Sequence, residues 1–411
     1  MITINTPFLE QNCESIYLKS NIVDEVQNIN EIVWFQTSLE FGKFFVDEVA
    51  DPFLVALVMP AIRYKEDITV NAKVSEQLYY NLVHYVIPYI SASWGGYMPR
   101  IMVKGLTSRN YNPQASATGC SMGVDSLSAI FHHIDKNCPD GYKLTHLTFF
   151  NVGSHGTINL KETEASFYKD LSLVQNFASI LGLPVVWVNT NMHLLYFDFS
   201  FNHSHTMRNM SVVLSMQKLF YRYYYASSYT LYDYALKQDN TAYYEDPLLS
   251  RLTTESTSMM SEDATWERSQ KTKYIADNKL AQEHLYVCLK EQISNNGYDK
   301  GLDHLKDNWK NCSRCTKCLR TMITLDIIGK LDKFNKIFDV EYFYRIKKYY
   351  IGKVLSQRSH DLLFNDIYKL MKSEGYQIPL FSKVISVFYV LYIKLSPKKL
   401  QKYVLHHLRN R

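Results

Sequence analysis

The sequence has no long apolar run. The longest, Val384–Ile393, is ten residues bracketed by Lys383 and Lys394. A helix needs about 20 to cross a bilayer, so no transmembrane segment is expected. The opening residues, Met1-Ile2-Thr3-Ile4, bring no basic region followed by an apolar core, and no signal peptide is expected. Internal repeats and low-complexity tracts are also missing, which sets aside repeat arrays and disordered linkers. Cysteine is scarce: seven in 411 residues, three of them inside one seven-residue window. An odd, clustered set is not a disulfide framework. It points to a metal site in a reducing compartment, with cytoplasm as the expected location.

What is present is enough chain for two or three domains. The composition is that of a globular protein, and the 32 tyrosines suggest large half-buried contact surfaces. The net charge of +5 is unevenly spread. Leu331–Arg411 holds 16 Lys and Arg against 6 Asp and Glu, a net of +10, which leaves the first 330 residues near −5. Such asymmetry suggests an anionic partner at the basic tail: nucleic acid, an acidic protein or a membrane surface. The competing reading has the basic residues lining solvent while Phe381, Ile385, Phe388 and Leu391 pack on the body.

Residues 1–110 read as an α+β domain. Glu31–Gln36 and Gly42–Val46 are expected strands, Asp51-Pro52 opens a helix, and Ser75 caps another. No cluster of catalytic residue types occurs there, so a role in shaping the cleft or an oligomer contact is expected. Residues 111–330 alternate. Strands are expected at 114–119, His146–Val152, Val185–Asn189 and Thr230–Leu236, with helices over 124–136, Glu162–Leu181 and Met207–Tyr225 between them. That order implies an α/β fold with a doubly wound parallel sheet and ligands at the carboxyl ends of its strands. Residues 331–411 read as a helical extension.

Two stretches carry chemistry. The first is Gly119-Cys120-Ser121-Met122-Gly123-Val124-Asp125-Ser126, a small-residue turn between a strand and a helix start. Backbone N–H groups there lack intrahelical partners, and the helix dipole favours an anion. Ser121 and Ser126 offer hydroxyls, Gly123 lets a ligand approach, and Asp125 could orient a loop amide or hold Mg²⁺. No Gly-Lys-Ser/Thr follows, so this is not a Walker A loop. Asn151 and Asn189 fall just past expected strand ends, on the same rim. The second stretch is Cys312-Ser313-Arg314-Cys315-Thr316-Lys317-Cys318. Its three thiols can converge on one cation, and tetrahedral Zn²⁺ wants a fourth ligand. Cys288 is the natural candidate, ahead of His284 and His304.

The loop resembles the Ser-Gly-Gly-x-Asp-Ser loop of the PP-loop ATP pyrophosphatases, with Met122 where that family usually has its first glycine. Together with the Cys-x-x-Cys-x-x-Cys run and an earlier Cys288, the resemblance narrows to 7-cyano-7-deazaguanine synthases. His205-Thr206-Met207-Arg208-Asn209 is similar to that family's Arg-Asn step. The resemblance covers about 114–325 and implies a PP-loop (HUP-like) fold, ATP with Mg²⁺, and a structural four-cysteine zinc. It implies that residues 121–126 grip pyrophosphate, with Asp125, Ser126 and Arg208 in the catalytic set. In the cationic run Arg268–Lys273, more commonly a solvated helix face, Lys271 is expected to face the α-phosphate. That family's Asp-x-Ser-Gly-Tyr-Pro-Asp-Cys substrate segment is replaced by Tyr243–Ser250, and 23 residues separate Cys288 from Cys312. A different acceptor is therefore expected, whether a small molecule, a peptide or a protein. The reading is an adenylating enzyme that splits ATP to AMP and pyrophosphate. Its rivals are a sulfur transferase acting on a nucleic acid base, for which Cys120 is the thiol in position, and a nucleotide- or partner-binding module with little turnover.

Overall fold

The computed structural model describes residues 1–154, 160–196, 198–237, 240–288 and 310–395. Two compact units make up the chain: Met1–Cys120 with Ala129–Thr265, and Ser121–Ser128 with Trp266–Arg411. These divisions do not coincide with the boundaries near 110 and 330 expected from the sequence.

The first unit is built on one sheet. Its strands are β1 (Ile2–Ile4), β2 (Phe8–Gln11), β3 (Ser15–Asp24), β4 (Ile29–Ser38), β5 (Ile68–Ser75), β6 (Ile101–Thr107), β7 (Ala115–Gly119), β8 (His146–Asn151), β9 (Val185–Thr190), β10 (Phe220–Ala226) and β11 (Ser258–Glu262). The order is β11-β10-β7-β8-β9-β4-β3-β1-β5-β6, with β2 added on β3. From β11 to β9 every neighbouring pair is parallel. The strand order reverses at β7, which has β8 on one side and β10 on the other. In open α/β sheets ligands favour the crevice beyond the carboxyl end of such a strand. β7 and β8 are almost wholly buried, as parallel strands covered on both faces must be.

The N-terminal strands continue this sheet. β4 pairs antiparallel with β9 at Phe35–Thr190 and Gln36–Asn189. The Thr37 hydroxyl donates to the Trp187 carbonyl at 2.6 Å, and the Asn191 amide bridges Trp34 N and Ile32 O. An uncovered β9 would expose a row of unpaired backbone groups, and β4 satisfies them. The helix α1 (Asp51–Tyr64) is buried from Asp51 to Ile62, the mark of a core helix with no solvent face.

Helix α2 (Val124–Ile134) follows β7, α3 (Leu160–Leu181) follows β8, and α4 (Phe201–Ser215) follows β9. The helix expected over Met207–Tyr225 stops at Ser215, and the aromatic run Phe220–Ala226 is strand β10. Tyr and Phe suit a pleated, half-buried surface, and pairing on both sides outweighs the helical spacing. The expected strand at Thr230–Leu236 is instead a single 3-10 turn at Leu231–Asp233. Gly42–Val46, also expected as a strand, follows the short helix Leu39–Gly42 as a turn.

The described helices of the second unit include α5 (Arg268–Ile275), α6 (Lys279–His284), α7 (Thr316–Ile327), α8 (Val340–Gln357), α9 (Leu362–Ser373) and α10 (Leu380–Leu395). Among the described residues no helix is long and apolar enough to cross a membrane. Of the four apolar α10 residues expected to pack inward, Ile385 faces Gly352, while Phe381, Phe388 and Leu391 stay largely exposed. A Cβ on Gly352 would stand 2.5 Å from Ile385 Cγ2 and 3.2 Å from the Ser382 carbonyl. Gly352→Ala raises helix propensity by about 1 kcal/mol but overpacks this contact by about 1–3 kcal/mol. We expect α10 in that variant to become cleavable in limited proteolysis under conditions where the wild type resists. Equal resistance would mean that α10 adjusts at no cost.

Candidate functional site

The second unit gathers the four thiols. One sulfur each from Cys288, Cys312, Cys315 and Cys318 lies within 4.8 Å of the other three. Cys312 Sγ is 3.8 Å from Cys318 Sγ, and Cys315 Sγ is 3.4 Å from Cys318 Sγ. A tetrahedral Zn²⁺ with Zn–S near 2.3 Å sets its sulfurs roughly 3.8 Å apart, so the cluster fits that ion.

The local chain explains the convergence. Ser313 takes φ 57°, which folds the backbone round Cys312. The N–H groups of Arg314 and Cys315 then reach Cys312 Sγ at 3.5 and 3.3 Å. Cys315 is the N-cap of α7 and Cys318 sits in its first turn, where the helix dipole favours thiolate. Asn311 fastens the Cys288 segment: its Oδ1 accepts from Val287 N at 2.8 Å and its Nδ2 donates to the Leu285 carbonyl at 2.9 Å. Among themselves the thiols share protons unequally. Hydrogen bonding from Cys288 holds Cys315 far below the usual thiol range and brings Cys312 to about 7. Hydrogen bonding with the other cysteines pushes Cys288 and Cys318 up. His284, considered as the fourth ligand, is not in the cluster, and His304 lies outside the described residues.

The loop after β7 belongs to the same unit. Met122 takes φ 55° with its side chain buried. The left-handed turn that a glycine would normally supply is therefore present, at a steric cost. Tyr286 N donates to the Met122 carbonyl at 2.8 Å and holds the turn. The Ser121 and Ser126 hydroxyls are 3.1 Å apart, and Gly123 N donates to Ser121 Oγ at 3.3 Å. Val124 opens α2, so the backbone donors of its first turn face outward.

Asp125 joins this loop to α5. Arg268 Nη1 donates to Asp125 Oδ2, and Lys271 Nζ lies 3.9 Å from Asp125 Oδ1. Lys271 is only 1% exposed, so its charge is held deep in the unit beside that carboxylate. Arg268 also lines a cleft with Thr272, Arg320, Thr321 and Asp366. Burial lifts the Asp366 carboxyl to about 6. Lys317 stands between two ligand cysteines; loss of hydration first, then the charges of Arg268 and Arg320, lower it to about 8. Of the cations, the sequence argument singled out Lys271; the carboxylate contact of Arg268, 143 residues from Asp125, left no local signal.

Arg208, Asn151 and Asn189 belong to the first unit. Asn151 ends β8 and Asn189 is the penultimate residue of β9, and Asn151 Nδ2 donates to Asn189 Oδ1 at 2.8 Å. Asn189 Nδ2 donates in turn to Gln36 and Glu164. Both amides are buried, bracing the strand ends. Arg208 is 4% exposed. Its partners are Ser204 Oγ at 2.8 Å and the Val152 carbonyl at 3.2 Å, and it stacks 4.1 Å over Tyr196. No carboxylate among the described residues pairs with it. Burial lowers it to about 10, which leaves a full positive charge at neutral pH. Cys120 is 1% exposed. The Tyr243–Ser250 segment helps line a cleft with Tyr229, Thr230 and Tyr234, where Tyr229 and Tyr243 stack at 4.5 Å.

These features define a class: an α/β protein with a large, mostly parallel sheet and a four-cysteine cluster able to hold a metal. No known protein family, curated protein or solved structure matches the chain.

Proposed function

We propose that the chain is an ATP-dependent adenylating enzyme of the PP-loop type. An acceptor carboxylate or amide oxygen attacks the α-phosphorus of ATP, the bond to the β-phosphate oxygen breaks, and pyrophosphate leaves. Ammonia, an amine or a sulfur donor then displaces AMP from the activated carbon. The observation that carries this reading is the convergence of Arg268 and the buried Lys271 on Asp125, in the first turn of a helix that follows the switch-point strand.

The residues divide the work. Amides of the 121–126 loop and the Ser121 and Ser126 hydroxyls hold pyrophosphate. Arg268 and Lys271, oriented by Asp125, offset the charge that builds on it, and preorganised charge of this kind is the main source of catalysis in such transfers. Mg²⁺ would arrive with ATP and neutralise phosphate charge. Asp125 Oδ1, which accepts no hydrogen bond, is the carboxylate oxygen that fits it. Arg208, in the first unit, is buried and pairs with no carboxylate among the described residues, which supports contact with an anionic group of a ligand. Zinc, held by four thiolates with no open position, would serve folding and not the reaction. The buried Cys120 weighs against the sulfur-transferase alternative, because a reactive thiol must be reached. The left-handed Met122 weighs against a loop that has lost its shape and only binds.

Labelled ATP tests the reading. AMP and pyrophosphate should appear with a carboxylate or amide acceptor, and 7-carboxy-7-deazaguanine should not stimulate them, given the replaced segment at Tyr243–Ser250. Nitrile formation from that compound would show the acceptor to be shared with the synthases. ATP binding without cleavage across a broad acceptor panel would leave a binding module, and no ATP binding would end the proposal.

A further inference from the structure

In the first unit, the end of β11 and the last turn of α2 bring four ionisable side chains together. His132 Nδ1 lies 2.7 Å from Asp263 Oδ1, and His133 Nε2 lies 3.0 Å from Glu262 Oε2. One donor atom from each of His132, Glu262 and Asp263 is within 4.8 Å of the other two.

The backbone is bent to make this happen. Consecutive residues of a strand point to opposite faces, so Glu262 and Asp263 would ordinarily diverge. Glu262 ends β11 and Asp263 takes φ 57°, a left-handed conformation that side-chain-bearing residues adopt at a cost. The alternation breaks, and two carboxylates gather at one imidazole. The Asp263 side chain is only 5% exposed, and like charges held that close repel unless protonated imidazole or a metal ion offsets them.

His133 supplies a second, independent observation. Its ring is buried and stacks 3.7 Å from Tyr224. Nδ1 lies 2.9 Å from the Tyr142 carbonyl. A carbonyl only accepts, so Nδ1 donates to it and Nε2 is the ring atom that faces Glu262. That nitrogen makes no geometrically sound hydrogen bond although Glu262 Oε2 is 3.0 Å away. A nitrogen and a carboxylate oxygen 3.0 Å apart are held together by a proton between them or by a cation beside them.

We propose that His132, Glu262 and Asp263 bind one divalent transition-metal ion, with His133 Nε2 positioning the Glu262 carboxylate from outside the donor set. Imidazole with carboxylate suits Zn²⁺, Mn²⁺ or Fe²⁺ and is chemically distinct from the four-thiolate cluster. The ion would tie the end of α2 to the edge strand β11.

Co²⁺ titration of the full-length, metal-stripped protein tests this, because the two donor sets differ in spectrum. Thiolate sites give intense sulfur-to-cobalt charge transfer; imidazole–carboxylate sites give only weak d–d bands. Wild type should take two equivalents, one with each signature. Asp263→Asn and His132→Gln should each take one, with the thiolate signature intact, which also reports that the chain is folded. His133→Gln should weaken the second equivalent by at least tenfold. A wild type that takes only the thiolate equivalent overturns the site, as does Asp263→Asn that still takes two. Unchanged affinity in His133→Gln would show that His133 does not position Glu262.

Discussion

Removing zinc is expected to unfold the helical end of the second unit. The cysteines lie on separate pieces of chain, Cys288 on one side and Cys312 to Cys318 on the other, and the cluster draws them together. A four-thiolate zinc site contributes on the order of 10 kcal/mol or more of binding free energy, as much as the whole stability of a typical domain. A strong chelator should therefore abolish the cooperative melting of this unit, and returning Zn²⁺ should restore it. Binding should also release protons near neutral pH, because free thiols are mostly protonated there and the bound ligands are thiolates. Affinity should rise with pH accordingly and fall as acid returns protons to the thiols. Cys315→Ser should give protease-sensitive protein. Cys288→Ser is the sharper test, because the other three ligands share one knuckle and this one comes from elsewhere. Purified Cys288→Ser holding a full zinc equivalent with wild-type melting would contradict the fourth ligand. Unchanged melting after verified loss of zinc would contradict the structural role.

Asp125→Asn is expected to lower AMP formation by at least about tenfold, the scale of losing one oriented charge in a preorganised site. A surface loop read from sequence alone would make this variant neutral for folding. The ion pair with Arg268 and the proximity of buried Lys271 change that expectation. Leaving a largely buried cation without its carboxylate destabilises by up to about 3–5 kcal/mol, and less here because Asp125 and Arg268 keep some contact with water. The variant should melt several degrees lower, so its rate must be measured well below that temperature. Lys271→Met separates the two effects. It removes the buried charge and keeps the stem, leaving Asp125 paired with Arg268, so rate should fall with little loss of stability. Wild-type AMP formation by folded Asp125→Asn would take this loop out of the mechanism.

The local chemistry of the chain was legible in its residues. Three cysteines at intervals of three can converge on one point once the backbone turns between them, and a β run followed by small residues and an apolar helical spacing has few folded forms. The parallel block β7, β8, β9 could be anticipated for the same reason: buried strands and amphipathic helices alternate at their own periods. Where periods conflicted, sequence reasoning failed. Phe220–Ala226 carries aromatics that suit a helix face or a strand, and its neighbours in the sheet, contributed by residues about 35 and 105 positions away, decided for the strand. The joining of the N-terminal strands to β9 rests on backbone hydrogen bonds, which carry no residue code. Position along the chain pointed to Cys288 as the fourth thiol, but its approach to the other three depends on Asn311 bridging two segments. The placement of Arg268 and Lys271 beside Asp125 is likewise a product of packing. A charge announces itself in sequence, but its partner is chosen by whatever the fold brings within reach of it.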